Sequence, residues 1–167
     1  LAAMKAAKVD VVELGFRGTS NKCFAGPCAY TTDEYLRGLP LPEGLAVAVM
    51  VNGSDLRPES GMEAALEGLF PVPASDSPVS LVRLACHFHE FSAVLPSVGW
   101  LRERGYQTGF NLMQIADRSR EEILELARTA NDWRPDVLYF ADSMGGMNPD
   151  DTARIVGWLR QHWEGPI

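Results

Sequence analysis

Three cysteines (Cys23, Cys28 and Cys86) are all that 167 residues contain. So sparse and odd a set excludes a disulfide framework and points to a reducing cytoplasm. Cys23 and Cys28 have no second pair with which to complete a zinc site. Long hydrophobic runs are also missing. No stretch approaches the roughly 18 apolar residues that cross a bilayer, and the chain opens on no signal-peptide pattern. Basic runs are absent, and a net charge of −7 argues against a nucleic-acid surface. No strand candidate is followed by GxGxxG, or by GxxxxGK with Ser or Thr, which weakens a nucleotide-binding reading. Low-complexity tracts are lacking, and the turn-rich Pro71–Pro78 is too short for a domain linker. What remains is 46% hydrophobic and 22% charged, the balance of one soluble globular domain spanning residues 1–167.

Both ends break off mid-pattern. The opening LAAMKAAK has the composition of the last turns of a helix, and the closing Gly165-Pro166-Ile167 stands where another strand is due. The expectation is an internal piece of a longer protein. Between the ends, five strand candidates recur about every 30 residues, the length of a βα unit. They are Val9–Phe16, Leu45–Val51, Val79–His87, Gln107–Met113 and Val137–Ala141. Helix candidates alternate with them: Thr32–Gly38, Gly61–Leu69, Phe91–Arg104, Arg120–Trp133 and Asp150–Trp163. The fourth is the clearest, with Ser119 as cap, Glu121 and Glu122 in the first turn, and an apolar face of Ile123, Leu124, Leu126 and Ala127. Pro135 and Asp136 stop it. Strict alternation predicts an α/β fold with a parallel sheet, either doubly wound or part of an eight-stranded barrel.

Four places carry chemistry-bearing residues. Val137–Phe140 is a continuous apolar run, expected to be a strand covered on both faces. It ends on Asp142 and Ser143, before Gly145 and Gly146 turn the chain into a helix capped by Asn148. Carboxyl ends of strands are where α/β folds bind ligands, although Asp142 can equally serve as an ordinary loop cap. Glu13 lies inside VVELGF, where a buried carboxylate needs a cation or an ion pair, with Arg83 on another strand the natural partner. His87 and His89, in CHFHE, have the i, i+2 spacing of one strand face, which suits a metal if the strand persists that far. If it does not, His89 faces solvent and His87 alone is polar at the strand mouth. Asn111, in NLMQ, can reach the barrel mouth or be a buried amide satisfied by backbone. The long loop Gly18–Glu34 either closes over a site or packs.

Together, LVRLACHFHE, GFNLMQIA and YFADSMGGMNPDD resemble, in order and spacing, segments of metal-dependent 4-hydroxy-2-oxovalerate aldolases. VDVVELGFR resembles the second strand of the wider superfamily, which includes HMG-CoA lyase and the homocitrate and isopropylmalate synthases. The resemblance covers nearly the whole chain. It implies a (β/α)8 TIM barrel of which this chain holds about strands two to six with their helices. It also implies a class II aldolase or lyase in which Mn²⁺ or Mg²⁺ stabilises the enolate of a 2-oxo acid such as pyruvate. On that resemblance Ser143 contacts the substrate's carboxylate or carbonyl, with Asp142 and Asn111 in the substrate site. His87 lines the pocket, and Glu13 orients the centre. The family's Arg-Asp segment and its HxH metal pair have no counterpart here, so the metal ligands are expected outside this chain. The alternatives are a Claisen-type acyl transferase or HMG-CoA-lyase-like enzyme, and a non-catalytic fragment or pseudoenzyme. Expected partners are a small 2-oxo acid and, to cover open sheet edges, a second copy in a homodimer; neither membrane nor nucleic acid is expected.

Overall fold

The apolar runs become five parallel strands, β1 (Val11–Phe16), β2 (Ala46–Asn52), β3 (Leu81–Cys86), β4 (Gln107–Met113) and β5 (Val137–Ala141). The computed structural model describes residues 1–18, 25–56 and 61–167, so Cys23 and residues 19–24 of the Gly18–Glu34 loop lie outside the described residues. Each strand pairs in parallel with the next, in the order β1-β2-β3-β4-β5. A doubly wound sheet reverses its order at a switch point; a barrel does not. The consecutive order therefore decides between the two α/β architectures in favour of the barrel type.

Seven helices flank the strands among the described residues: α1 (Ala2–Ala6), α2 (Asp33–Arg37), α3 (Met62–Leu69), α4 (Phe91–Val94), α5 (Ser97–Glu103), α6 (Arg120–Trp133) and α7 (Pro149–Leu159). The caps expected at two of them are formed. Ser119 Oγ accepts from the Glu122 N–H at 3.2 Å while Glu122 accepts from the Ser119 N–H at 2.7 Å. Asn148 and Asp151 make the same reciprocal pair at the start of α7, at 2.9 and 3.1 Å. Each satisfies donors the helix itself leaves unpaired. The single helix expected over Phe91–Arg104 is instead two, because Pro96 has no N–H to donate and ends the first of them. None of these helices is long and apolar enough to cross a membrane among the described residues.

Alternation in the strands sorts the sheet's two faces. Val49, Val51, Val82, Leu84, Phe110, Leu112 and Leu138 are buried against the helices, with Phe91 edge-on to Phe110 at 5.3 Å. The opposite face carries Glu13, Ala48, Arg83, Gly109 and Tyr139, around a cavity of about 300 Å³. β5 departs from expectation here: only Leu138 is buried, since one face alone meets helices and β5 is the last strand in the order. Beyond α7 the chain returns beside it, where Leu138 N–H donates to Pro166 O at 3.0 Å.

Gly109 shows how tightly the open face is fitted. A Cβ there would stand 2.6 Å from the Tyr139 ring, which lies across β4 at that point. Gly109→Ala must displace the ring, and overpacking of this kind costs about 1–3 kcal/mol. Urea unfolding should show that loss, and Tyr139→Leu in the same background should restore part of it.

Candidate functional site

Two clefts open at the carboxyl ends of β3, β4 and β5, and they share Gln114. One, of about 230 Å³, is lined by Gln114, Asp142, Ser143, Met144 and the start of α7. The other, of about 310 Å³, is lined by His87, Phe88, His89, Met113, Gln114 and Arg118. Gln114 separates them because it leaves β4 in the left-handed conformation, at φ 57°, and its N–H then reaches Ser143 Oγ at 3.4 Å. That contact is long for a hydrogen bond. It leaves the exposed serine's own O–H free to donate.

Asp142 and Ser143 part company in role. Both carboxylate oxygens of Asp142 are engaged by the loop, accepting from Gly146 N–H at 3.0 Å and Met147 N–H at 2.8 Å. Gly145 makes the turn possible at φ 70° and donates its N–H to Asp142 O. Asp142 therefore shapes the loop that presents Ser143. Further along, the cap hydrogen bond from the Asn148 N–H, and then Arg154, hold the Asp151 carboxyl below the usual carboxylate range.

β3 ends at Cys86, so His87 and His89 stand beyond it, on and beside a 3-10 turn that covers Phe88–Glu90. Strand alternation no longer governs them. Their rings nevertheless lie parallel, 5.7 Å apart with 9° between planes. His87 is half-buried and His89 exposed. The His87 N–H donates to the buried carboxylate of Glu90 at 3.0 Å, which fixes the turn. The Cys86 thiol is pushed up to about 12 by burial and by the charge of Glu90. It should stay protonated and unmodified by a thiol reagent at pH 8 in the folded protein, while exposed Cys28 reacts. Peptide mapping after labelling checks this; native modification of Cys86 would show that the turn opens.

Glu13 and Arg83 form the ion pair expected of them, doubly hydrogen-bonded at 2.5 and 2.7 Å. Their side chains are 30% and 22% exposed, so Glu13 is less buried than an apolar run implies, because the face it occupies is open. Glu13 also raises the Arg83 pKa. Asn111 sits on the same face, opposite Ala85 and Tyr139, and its side chain makes no hydrogen bond among the described residues. Neither Glu13 nor Asn111 lines the two clefts. The structure thus gathers Ser143, Asp142 and His87 around Gln114, with Glu13 and Asn111 apart from them. Arg118 is the residue that sequence reasoning passed over, while Gln114 closes the NLMQ segment named there without a role of its own. The strand-end rule that picked Ser143 applies equally to Gln114, one residue beyond β4. No group of three or more His, Cys, Asp or Glu is placed to hold a metal among the described residues.

Strand order and clefts together define a barrel-type α/β domain with a polar strand-end site. No family model matches the chain. Over 99% of its length it is 27% identical to a 4-hydroxy-2-oxovalerate aldolase of Pelotomaculum thermopropionicum. It is 34% identical, over 52% of its length, to the 4-hydroxy-2-oxovalerate aldolase of Stutzerimonas stutzeri. The chain spans 47% of the first and 25% of the second. In fold it matches the N-terminal domain of a Bacteroides vulgatus protein assigned as an aldolase, with a TM-score of 0.75 at 20% identity, covering 99% of this chain and 56% of that one. It also matches hydroxymethylglutaryl-CoA lyase of Pseudomonas aeruginosa, with a TM-score of 0.67 at 16% identity, covering 95% and 54%. The resemblance read from the four segments is borne out: relatives by sequence are 4-hydroxy-2-oxovalerate aldolases, and neighbours in fold are a protein assigned as an aldolase and a lyase.

Proposed function

We propose that this chain supplies the substrate-holding strand ends of an aldolase or lyase that breaks or forms a carbon–carbon bond of a 2-oxo acid. The reaction is of the 4-hydroxy-2-oxovalerate aldolase kind, with the enolate of pyruvate as intermediate. The observation that carries this reading is the free hydroxyl of Ser143, held over a cleft at the end of β5 by the Asp142 loop, in a chain related throughout its length to such aldolases.

The roles follow from position. The Ser143 O–H donates to an oxygen of the substrate, and His87 borders the adjoining cleft within reach of the other end. Glu13 acts at a distance: paired with Arg83 it sets the inner face on which Asn111 and Tyr139 stand. Mn²⁺ or Mg²⁺ suits chemistry that builds charge on an enolate oxygen. The described residues do not assemble ligands for one, so its ligands would come from elsewhere. The fold likeness to hydroxymethylglutaryl-CoA lyase favours, as a second reading, an acyl-CoA reaction of lyase or Claisen type.

The intact protein, supplied with Mn²⁺ or Mg²⁺, should release pyruvate from 4-hydroxy-2-oxovalerate and lose that activity on chelation. Activity that survives chelation contradicts metal dependence. Turnover of acyl-CoA substrates with none of the hydroxy-oxo acid would favour the second reading.

A further inference from the structure

A cavity of about 310 Å³ lies between the β1–α2 connection and the end of α3, and it shares no residue with either strand-end cleft. Arg17, Thr32 and Asp33 wall it on one side, and Gly68, Leu69 and Pro71 on the other. The lining is mainly apolar, and its charges cancel. Arg17, 4% exposed, holds Asp33 Oδ1 at 2.6 Å, and its guanidinium lies 5.0 Å from the centre of the Phe70 ring. An anion here would meet the Asp33 carboxylate, and a cation the Arg17 guanidinium, so neither charge is favoured. Arg37, the other cation near Asp33, is largely exposed and stands outside the lining.

Two side chains of the wall keep unspent donors. A guanidinium carries five N–H groups. Those of Arg17 go to Thr31 O, Leu69 O and Asp33 Oδ1, at 2.7, 3.3 and 2.6 Å, and the other two have no partner among the described residues. Thr32 Oγ1 accepts from the Tyr35 N–H at 3.1 Å as the cap of α2, and its own O–H has no acceptor among the described residues. Asp33 Oδ2 also lacks a hydrogen bond, but it is sealed from solvent, 3.9 Å from Arg37. Gly68 is the third feature. It lies within α3, and nothing stands within 4 Å of a Cβ added there. Neither crowding nor a left-handed backbone asks for glycine at this position, and a helix is more stable with Ala or Leu. What the missing side chain leaves is room at the cavity wall.

We propose that this cavity binds an uncharged, mainly apolar small molecule that bears a carbonyl oxygen, a ketone or an aldehyde. The oxygen accepts from Arg17 and Thr32, and the hydrocarbon body lies on Leu69 and Pro71. A molecule held in this way braces the β1–α2 connection against α3, adding to the 3.3 Å bond from Arg17 to Leu69 O. The volume is that of a small-ligand site, and the site is independent of the 2-oxo acid reading.

The test titrates the intact protein with acetophenone and with ethylbenzene, which has nearly the same shape and no acceptor. Benzoate and benzylamine add a charge of either sign. Methyl resonances of Thr32 and Leu69 are followed by NMR at constant pH. Acetophenone should shift both saturably and bind at least about fivefold more tightly than any of the other three, and saturating pyruvate should not displace it. Gly68→Leu should weaken acetophenone about tenfold or more by occupying its space, without lowering the melting temperature, because α3 gains from the change. Gly68→Ala, the smaller addition, should fall between. Any of the other three probes binding as tightly as acetophenone, displacement by pyruvate, or full binding by Gly68→Leu would each overturn the proposal. So would the absence of a saturable shift.

Discussion

Gly15→Ala is expected to lose more stability than either Gly109→Ala or Gly26→Ala. Gly15 sits in β1 at φ 72°, where the pairing with β2 slips by one residue between Glu13 and Phe16. A Cβ at Gly15 would stand 2.2 Å from Cys28 O and 2.7 Å from Cys28 Cβ. Positive φ costs about 1–2 kcal/mol for a residue with a Cβ, and forced overlap with backbone about 1–3 kcal/mol more. The segment it would push away is bonded to the strand: Thr31 Oγ1 donates to Leu14 O at 2.6 Å, and Thr31 N–H to Phe16 O at 2.8 Å. Arg17, 4% exposed and 2.6 Å from Asp33, ties the same segment down. A total near 3 kcal/mol or more corresponds to a melting temperature lower by roughly 6–12 °C in a domain of this size. Gly26→Ala is the control. Gly26 also has positive φ, 95°, but nothing lies within 4 Å of its added Cβ, so only the conformational part is lost. A Gly15→Ala melting temperature within 2 °C of the parent's would show that Cys28 does not approach β1 as described.

The second large effect concerns affinity. Ser143→Ala removes a hydroxyl whose sole hydrogen bond among the described residues is the long one from Gln114 N–H, at an exposed position. Folding should be unaffected. A hydrogen bond to a charged or strongly polar substrate is worth about 1.5–3 kcal/mol, so binding of the 2-oxo acid should weaken by about one to two orders of magnitude. A variant that melts several degrees lower and binds as before would assign Ser143 to the loop alone.

The strands were legible because their pattern is local. Gln107–Met113 and Val137–Ala141 match β4 and β5 residue for residue, and Ser119 and Asn148 announce α6 and α7 through capping chemistry that needs only three neighbouring residues. The break in Phe91–Arg104 was equally local, and Pro96 carries it. What the chain does not display along its length is proximity between elements. The need for glycine at 15 and 109 comes from Cys28 and Tyr139, each far along the chain. The Glu13–Arg83 pair was an exception, because a carboxylate and a guanidinium in two apolar strands have few other partners. At the site, Ser143 and His87 followed from the rule that strand ends bind ligands. Arg118 did not, since its place in the wall of the His87 cleft is a property only the folded chain has.

The central claim, that these strand ends hold a 2-oxo acid so that its enolate forms, is tested most directly by exchange at the methyl group of pyruvate. In D₂O, with Mn²⁺ or Mg²⁺ supplied, the intact protein should exchange the pyruvate methyl protons for deuterium, read by ¹H NMR as loss of the methyl signal. Ser143→Ala should slow that exchange by at least tenfold at subsaturating pyruvate. Exchange no faster than with the metal alone, in a folded protein shown to bind pyruvate, would contradict the account.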